Sequence, residues 1–341
     1  MRLLVTGGAG FIGSHYVRTL LSGGFSSSSA TAVTVLDKLT YSGNRANLEP
    51  VAGDARLTFG EGDICDATLV DDLMSGHDAV VHFAAESHVD RSIAGAAAFV
   101  VTNVLGTQTL LDAAHRHGVS RFLHVSTDEV YGSVAEGSSS ETDELRPRNP
   151  YSASKAGADR LAYSYWATHD VPVIITRASN NYGPYQFPEK LIPLFVTNLI
   201  DDIQVPLYGD GGNVRDWLHV LDHCRAIDKL IGEGQSGEVY NIGGGNEVKN
   251  VDITYSLLKL VGKDDSLIRR VEDRKGHDRR YSVSTNKLRN MGWAPQVDFE
   301  QGLRETVDWY QKNDWWWRPV KERDPQYKAY IEQQYGKRKS H

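Results

Sequence analysis

Tyr151 and Lys155 stand four residues apart, a spacing that puts both side chains on one face of a helix. A free tyrosine has a pKa of about 10 and is a poor base at neutral pH. A nearby ammonium stabilises the phenolate and lowers that value. Such a pair can take a proton from an alcohol as hydride leaves the same carbon. Upstream, Ser126-Thr127-Asp128-Glu129-Val130-Tyr131-Gly132 sets two adjacent carboxyl groups past the apolar run Phe122-Leu123-His124-Val125. Two adjacent carboxyl groups set acid/base chemistry beside the Tyr151/Lys155 pair. In an extended strand, neighbouring side chains point to opposite faces. Both acids reach one substrate only if the backbone turns helical, so a helical turn is expected directly after Val125. The rival reading makes Tyr151/Lys155 an ordinary surface pair, Asp128 an N-cap and Glu129 a surface residue. What the first third of the chain encodes weighs against it.

That region looks built to hold a cofactor. Gly7-Gly8-Ala9-Gly10-Phe11-Ile12-Gly13 follows an expected strand, Arg2–Thr6, and opens an expected helix, Phe11–Leu21. Gly7, Gly10 and Gly13 fall as G-x-x-G-x-x-G. A tight turn, close backbone approach and helix–strand contact each need a missing Cβ, and the helix N-terminus faces a pyrophosphate. Asp37 ends the second expected strand, Val33–Leu36. A carboxylate there accepts from ribose hydroxyls and repels a 2′-phosphate, which favours NAD over NADP. Lys38, which works slightly against that preference, Leu39 and Thr40 complete the candidate contact. Asp63-Ile64 follows the third strand and suits the adenine amino group, although an acid there, taken alone, is more often a turn residue. Phe83-Ala84-Ala85 follows the fourth and offers small residues where backbone must lie against a cofactor.

Further strands are expected at Leu57–Phe59, Ala79–Phe83, Phe122–Val125 and Val171–Thr176, with helices at Ala67–Met74, Ala97–His117 and Tyr151–His169. This alternation argues for an α/β fold, a doubly wound parallel Rossmann sheet with right-handed crossovers. After about Ser179 prolines, glycines and aromatics become frequent, and helices are expected at Phe187–Ile200, Val220–Gly232, Val251–Val261 and Glu300–Lys312. The division expected is a cofactor domain at 1–178, to which some later segments return, a smaller mixed α/β substrate lobe at 179–331 and a polar tail at 332–341 that frays. Gly23–Ser29 reads as a surface loop.

With 341 residues, 40% hydrophobic and 24% charged, the composition is that of a soluble globular protein. A net charge of −7 gives no basis for binding nucleic acid or an acidic membrane. No apolar run reaches the roughly 18 residues of a membrane span, and the N-terminus reads as a first strand with no room for a signal peptide. Cys65 and Cys224 form no metal or redox spacing. Reduced thiols, no metal and a cytoplasmic location are expected.

Gly7–Gly13, Tyr151/Lys155 and Asn180-Asn181-Tyr182-Gly183-Pro184 resemble the extended short-chain dehydrogenase/reductase family. Within it, Thr127-Asp128-Glu129 looks like the signature of the dTDP-glucose 4,6-dehydratases, where related epimerases typically carry small residues in place of the two acids. Ala85–Ser92, Asp210–Trp217 and Gly276–Tyr281 are similar too, so the resemblance runs from Met1 to about Trp317. It implies tightly bound NAD and a dTDP-sugar substrate. The sugar is oxidised at C4 with Tyr151 as base, loses water across C5 and C6, and regains hydride at C6. It makes Glu129 the C5 base and Asp128 the C6 acid, places Thr127 at the C4 oxygen, and adds Asn181 to the cofactor contacts.

A nucleoside diphosphate needs cations for its phosphates and planar groups for its base. Arg215, Lys190, Arg274 and His277 are candidates; for any one of them a solvated charge is the plainer alternative. The resemblance adds Asn180, Leu191, Pro206, Leu207, Tyr208 and Asn250 at the nucleotide and Ser87 near the sugar. Trp315-Trp316-Trp317 reads as packing against the C-terminal lobe. The resemblance also implies a homodimer through helices 97–117 and 151–169, although those faces can equally be core against the sheet. Two other functions remain open: a sugar-nucleotide C4 epimerase, against which the two acids argue, and a non-catalytic NAD-binding scaffold, against which the intact Tyr, Lys and acids argue.

Overall fold

The structure is a computed structural model and describes residues 1–25 and 30–336. Residues 26–29, most of the serine-rich stretch, lie outside the described residues, as do 337–341. Twelve strands occur among the described residues: β1 (Arg2–Thr6), β2 (Ala32–Asp37), β3 (Leu57–Glu61), β4 (Ala79–His82), β5 (Arg121–Thr127), β6 (Val173–Ala178), β7 (Asn180–Tyr182), β8 (Val205–Tyr208), β9 (Val214–His219), β10 (Val239–Ile242), β11 (Glu247–Lys249) and β12 (Ile268–Val271). Seven form one parallel sheet in the order β10-β6-β5-β4-β1-β2-β3. Chain order reverses direction at β1, which pairs with β2 on one side and β4 on the other. Ligands lie outside the carboxyl ends of strands at such a switch point.

Alternation along β1 shows how the sheet is covered. Leu3 and Val5 pack with Tyr16, Val17, Cys224 and Ile227 on one face. Leu4 packs with Val70, Met74, Leu110 and Ala162 on the other. Helices therefore cover both faces, as near-continuous apolar strands require. A separate cluster holds Tyr182, Phe195, Trp217, Ile253, Val307 and Trp317. β10 lies late in the chain yet pairs with β6 at the sheet edge.

Some boundaries differ from expectation. Residues 97–117 are not one regular helix: a π-helical segment, Val100–Leu105, separates Ala97–Phe99 from Gly106–His117. The wider turn brings Asn103 fully inside, where its amide accepts from the Glu86 N–H at 2.8 Å and donates to the Ser154 hydroxyl at 2.8 Å. The helix expected from Phe187 starts only at Leu191. The tail does not fray where it is described, since Glu332–Gly336 is helical and Tyr335 is buried. Trp316 and Trp317 are core, whereas Trp315 is 54% exposed.

Candidate active site

β5 stays extended two residues longer than expected, through Thr127, and a 3-10 turn then covers Asp128–Tyr131. The cap is Thr127 and not Asp128. Its hydroxyl accepts the Glu129 N–H and donates to Asp128 Oδ1, each at 3.3 Å. That turn brings both acids to the wall of one cavity with Thr127, Tyr151 and Lys155. Asp128 is 2% exposed, and its Oδ2 has no partner among the described residues. Burial, then the Glu129 charge, holds its carboxyl well above the usual carboxylate range, against the pull of Arg215 and Thr127. That environment favours the protonated form of Asp128. Glu129 Oε2 accepts from the Tyr281 hydroxyl at 3.3 Å.

Pro150 and an Asn149/Ser152 capping box start the helix Pro150–His169. Its first turns place Tyr151 and Lys155 beneath the end of β5. The Lys155 ammonium donates to the Val125 carbonyl at 2.7 Å. Burial pulls Lys155 down to about 8, against the opposing charge of Asp159 one turn further on. Tyr151 is buried on the same cavity wall. Its phenol is pushed up, first by burial and then by the Glu129 charge, despite a hydrogen bond with Thr127. In a site this enclosed, burial and a neighbouring carboxylate both disfavour the phenolate.

The candidate cofactor residues lie around the carboxyl end of β1. Gly7 has φ +71°, and a Cβ on it would lie 2.5 Å from the Ala84 nitrogen; one on Gly13 would lie 2.4 Å from the Gly7 oxygen. Gly10 caps the helix Phe11–Leu21 without any side-chain bond, which leaves the first N–H groups for a ligand. Asp37 accepts from the Ala9 and Leu39 N–H groups, both at 2.9 Å, and lines the cavity. Lys38, Thr40, Ile64, Phe83, Ala84 and Ala85 line it as well. Leu39 lies off the wall, at φ +52°, and its N–H donates to Asp37. Asp63 is on the wall but paired with Lys38 at 2.5 Å, so the two charges offset one another. A glycine cradle, an open helix N-terminus and a carboxylate after β2 fit a dinucleotide.

A second cavity continues from the first, and Glu129, Asn180, Glu189 and Lys190 line both. Leu191, Pro206, Leu207, Tyr208, Arg215, Asn250, Arg274 and His277 line the second, while Ser87 and Asn181 line the first. Arg215 is 5% exposed and lies 4.3 Å from the centre of the Tyr281 ring. Arg274 reaches Asp90 at 3.4 Å, and Lys190 donates to the Ser87 carbonyl at 2.6 Å. Burial lowers Lys190 and Arg215, and burial beside Arg274 and Arg215 lowers His277. The oxygens of the Asn180 and Asn250 amides lack partners among the described residues, as expected of groups that await a polar ligand. Sequence reasoning missed Glu86, Gln186, Glu189 and His223 in the first cavity and His88, Asp90, Tyr281 and Tyr335 in the second. Asp90 and Tyr281 fall inside stretches that carry the resemblance; Tyr335 sits in the tail set aside for its polarity.

A model of the GDP-mannose 4,6 dehydratase family matches residues 4–306. A dTDP-glucose 4,6-dehydratase of Streptomyces niveus is 57% identical over 325 residues, 95% of this chain and 97% of that one. The crystal structure of DesIV, a dTDP-glucose 4,6-dehydratase from Streptomyces venezuelae with NAD and TYD bound, superposes with a TM-score of 0.93 at 59% identity, covering 94% of this chain and 100% of that one. The UDP-glucose 4-epimerase of Thermus thermophilus, in complex with NAD, has a TM-score of 0.84 at 32% identity over 92% of this chain and 100% of its own. The chain belongs to the GDP-mannose 4,6 dehydratase family.

Proposed function

We propose that this protein is a hydro-lyase that dehydrates dTDP-glucose to dTDP-4-keto-6-deoxyglucose. The observation that carries this reading is the 3-10 turn at Asp128–Tyr131, which sets two carboxyl groups on one wall with Tyr151, the Asp128 carboxyl held well above the usual carboxylate range by burial. Gly7, Gly10, Gly13 and Asp37 would hold NAD, and bound NAD supplies a hydride acceptor for C4 and later a donor for C6. Tyr151 takes the C4 hydroxyl proton. Thr127 hydrogen-bonds the C4 oxygen. The resulting ketone acidifies C5–H; Glu129 removes that proton, and Asp128 gives its own to the departing C6 hydroxyl. Arg215, Lys190, Arg274 and His277 bind the diphosphate side of the substrate.

The test is incubation with dTDP-glucose in heavy water, without added NAD, followed by NMR. A 4-keto-6-deoxy product with deuterium at C5 is expected. A 4-epimer would favour the epimerase reading, and unchanged substrate would leave only a binding role.

Lys155 supplies a pH dependence. It is faced by Tyr151 and Asp159 from its own helix, and by His82 of β4 and His124 of β5, which burial keeps neutral. Its ammonium is present below about 8 and lost above. A Lys155 that must be charged to support the Tyr151 phenolate makes kcat/KM fall as pH rises through that value. A profile that stays flat across the range counts against this role.

Val100, Val101 and Leu105 are 53, 47 and 49% exposed, and Tyr163 on the neighbouring helix is 37% exposed. Exposed apolar side chains on two neighbouring helices suit a second copy of the chain, and we assign them to a homodimer through residues 97–117 and 151–169. Val101→Asp should shift the mass in sedimentation from dimer to monomer; a wild-type monomer would end the assignment. Among the described residues no helix is long and apolar enough to cross a membrane. Two free thiols, Cys65 and Cys224, suit the cytoplasm, and recovery of the protein from an exported fraction would overturn that placement.

A further inference from the structure

The C-terminal segment carries three tyrosines that the mechanism leaves unused. Tyr327 and Tyr330 fall one helical turn apart on Pro325–Ile331, and Tyr335 follows in the π-helical turn Glu332–Gly336. All three are buried, and each touches something next to the two cavities. The Tyr327 hydroxyl donates to the Pro188 carbonyl at 3.2 Å, just before the partition formed by Glu189 and Lys190. Tyr330 packs on His88, with ring centres 5.1 Å apart. The Arg91 guanidinium sits between the Tyr330 and Tyr41 rings, 4.5 and 4.0 Å from their centres, and pairs with Glu189 at 2.9 Å. Tyr335 itself lines the second cavity. Its ring lies 6.2 Å from that of Tyr208 and only 31° from parallel, and the hydroxyls are 3.4 Å apart. Arg269 clamps its carbonyl at 3.0 Å, and the Gln334 amide donates to the Tyr208 hydroxyl at 2.7 Å.

We propose that residues 325–336 form a wall of the substrate cavity, with Tyr335 as a binding residue for the nucleoside end of the substrate. Cavity order supports that end. Glu129 marks where the second cavity opens on the reacting sugar. Tyr335 stands with Tyr208, and the Tyr208 hydroxyl donates to Asp90, the partner of Arg274, at 3.1 Å. An aromatic wall beside a cation is what a base attached to phosphates requires. This wall lies beyond residues 4–306, the part that the family model matches. The proposal rests on the dehydratase reading and extends it to a contact which that reading does not contain.

The test compares wild type, Tyr335→Ala and Tyr335→Phe as full-length chains, with dTDP-glucose turnover and calorimetric binding of dTDP. Loss of one aromatic face is expected to raise the KM for dTDP-glucose and the Kd for dTDP about tenfold, in line with the worth of base–aromatic stacking. The kcat at saturation and the NAD retained should stay close to wild type, and Tyr335→Phe should restore both constants. A purely structural tyrosine would lower kcat, NAD content and thermal stability together and leave KM alone; that result, or unchanged constants in Tyr335→Ala, overturns the wall. An active wild type with an unaffected variant removes only this inference. A wild type that neither turns over dTDP-glucose nor binds dTDP removes the functional reading as well.

Discussion

Glu129→Gln is expected to bind NAD and dTDP-glucose as the wild type does and to lose dehydration by about 10²–10⁴-fold, the usual worth of a positioned general base. The amide keeps the shape of the side chain and can still accept from the Tyr281 hydroxyl, which lies 3.3 Å from the carboxylate. What disappears is a basic oxygen and a negative charge. That charge is among the causes that raise the phenol of Tyr151 and the carboxyl of Asp128. Its removal therefore eases the first proton transfer while it blocks the second. Rapid mixing with substrate should show reduced cofactor forming and persisting, with no deuterium entering C5 from heavy water. Asp128→Asn should give the complementary result, because its block comes later: C5 exchanges with solvent, yet the C6 hydroxyl stays. Normal dehydration by Glu129→Gln would remove Glu129 from its role, and matched defects in the two variants would mean that the acids do not divide the labour.

The residues most legible in sequence were those whose neighbours along the chain supply the geometry. Gly7, Gly10 and Gly13 lie in one turn between a strand and a helix, and the contacts that a Cβ would make there come from that turn and the loop after β4. Tyr151 and Lys155 share a helix whose start is written locally in Asn149, Pro150 and Ser152. The Asp128–Glu129 turn was legible because two acids on an extended strand would part company. Effects summed over the fold were not. Burial and the Glu129 charge raise the phenol of Tyr151, and neither can be read from its spacing to Lys155. The π-helical segment at Val100–Leu105 exists where Asn103 turns inward to Glu86 and Ser154, contacts that no periodicity encodes. Tyr335 was hidden by its polar neighbours Glu332, Gln333 and Gln334, although the i, i+3 pair Tyr327/Tyr330 just before it was a usable sign of a docked helix.

Arg177→Leu is expected to cost about 3–5 kcal/mol of folding stability, because it strands a buried carboxylate. Arg177 on β6 and Asp159 on the helix of Tyr151 and Lys155 are 2% and 0% exposed. They meet as a fork, Nε to Oδ2 at 2.8 Å and Nη2 to Oδ1 at 3.0 Å. Such a pair is weak evidence for stability as a whole, since both charges leave water to form it, but either charge alone has no such compensation. The third guanidinium nitrogen donates to the Tyr131 hydroxyl at 2.8 Å, and that hydroxyl donates to Asn241 of β10 at 2.8 Å. Tyr131 closes the very turn that carries Asp128 and Glu129. One guanidinium thus joins the helix of the Tyr–Lys pair, the turn of the two acids and the edge strand of the sheet. Arg160 also approaches Asp159, at 3.0 Å, but is half exposed and holds only Oδ1, so it should rescue little. Urea unfolding checks the figure, with Arg177→Leu/Asp159→Leu expected to regain part of the loss because the carboxylate stranded by the single change is then gone, although Lys155 loses the opposing charge of Asp159. A single variant within about 1 kcal/mol of wild type, the range of an exposed pair, would show that Arg160 or water serves Asp159 well enough. The fork would then contribute no more to stability than a surface contact.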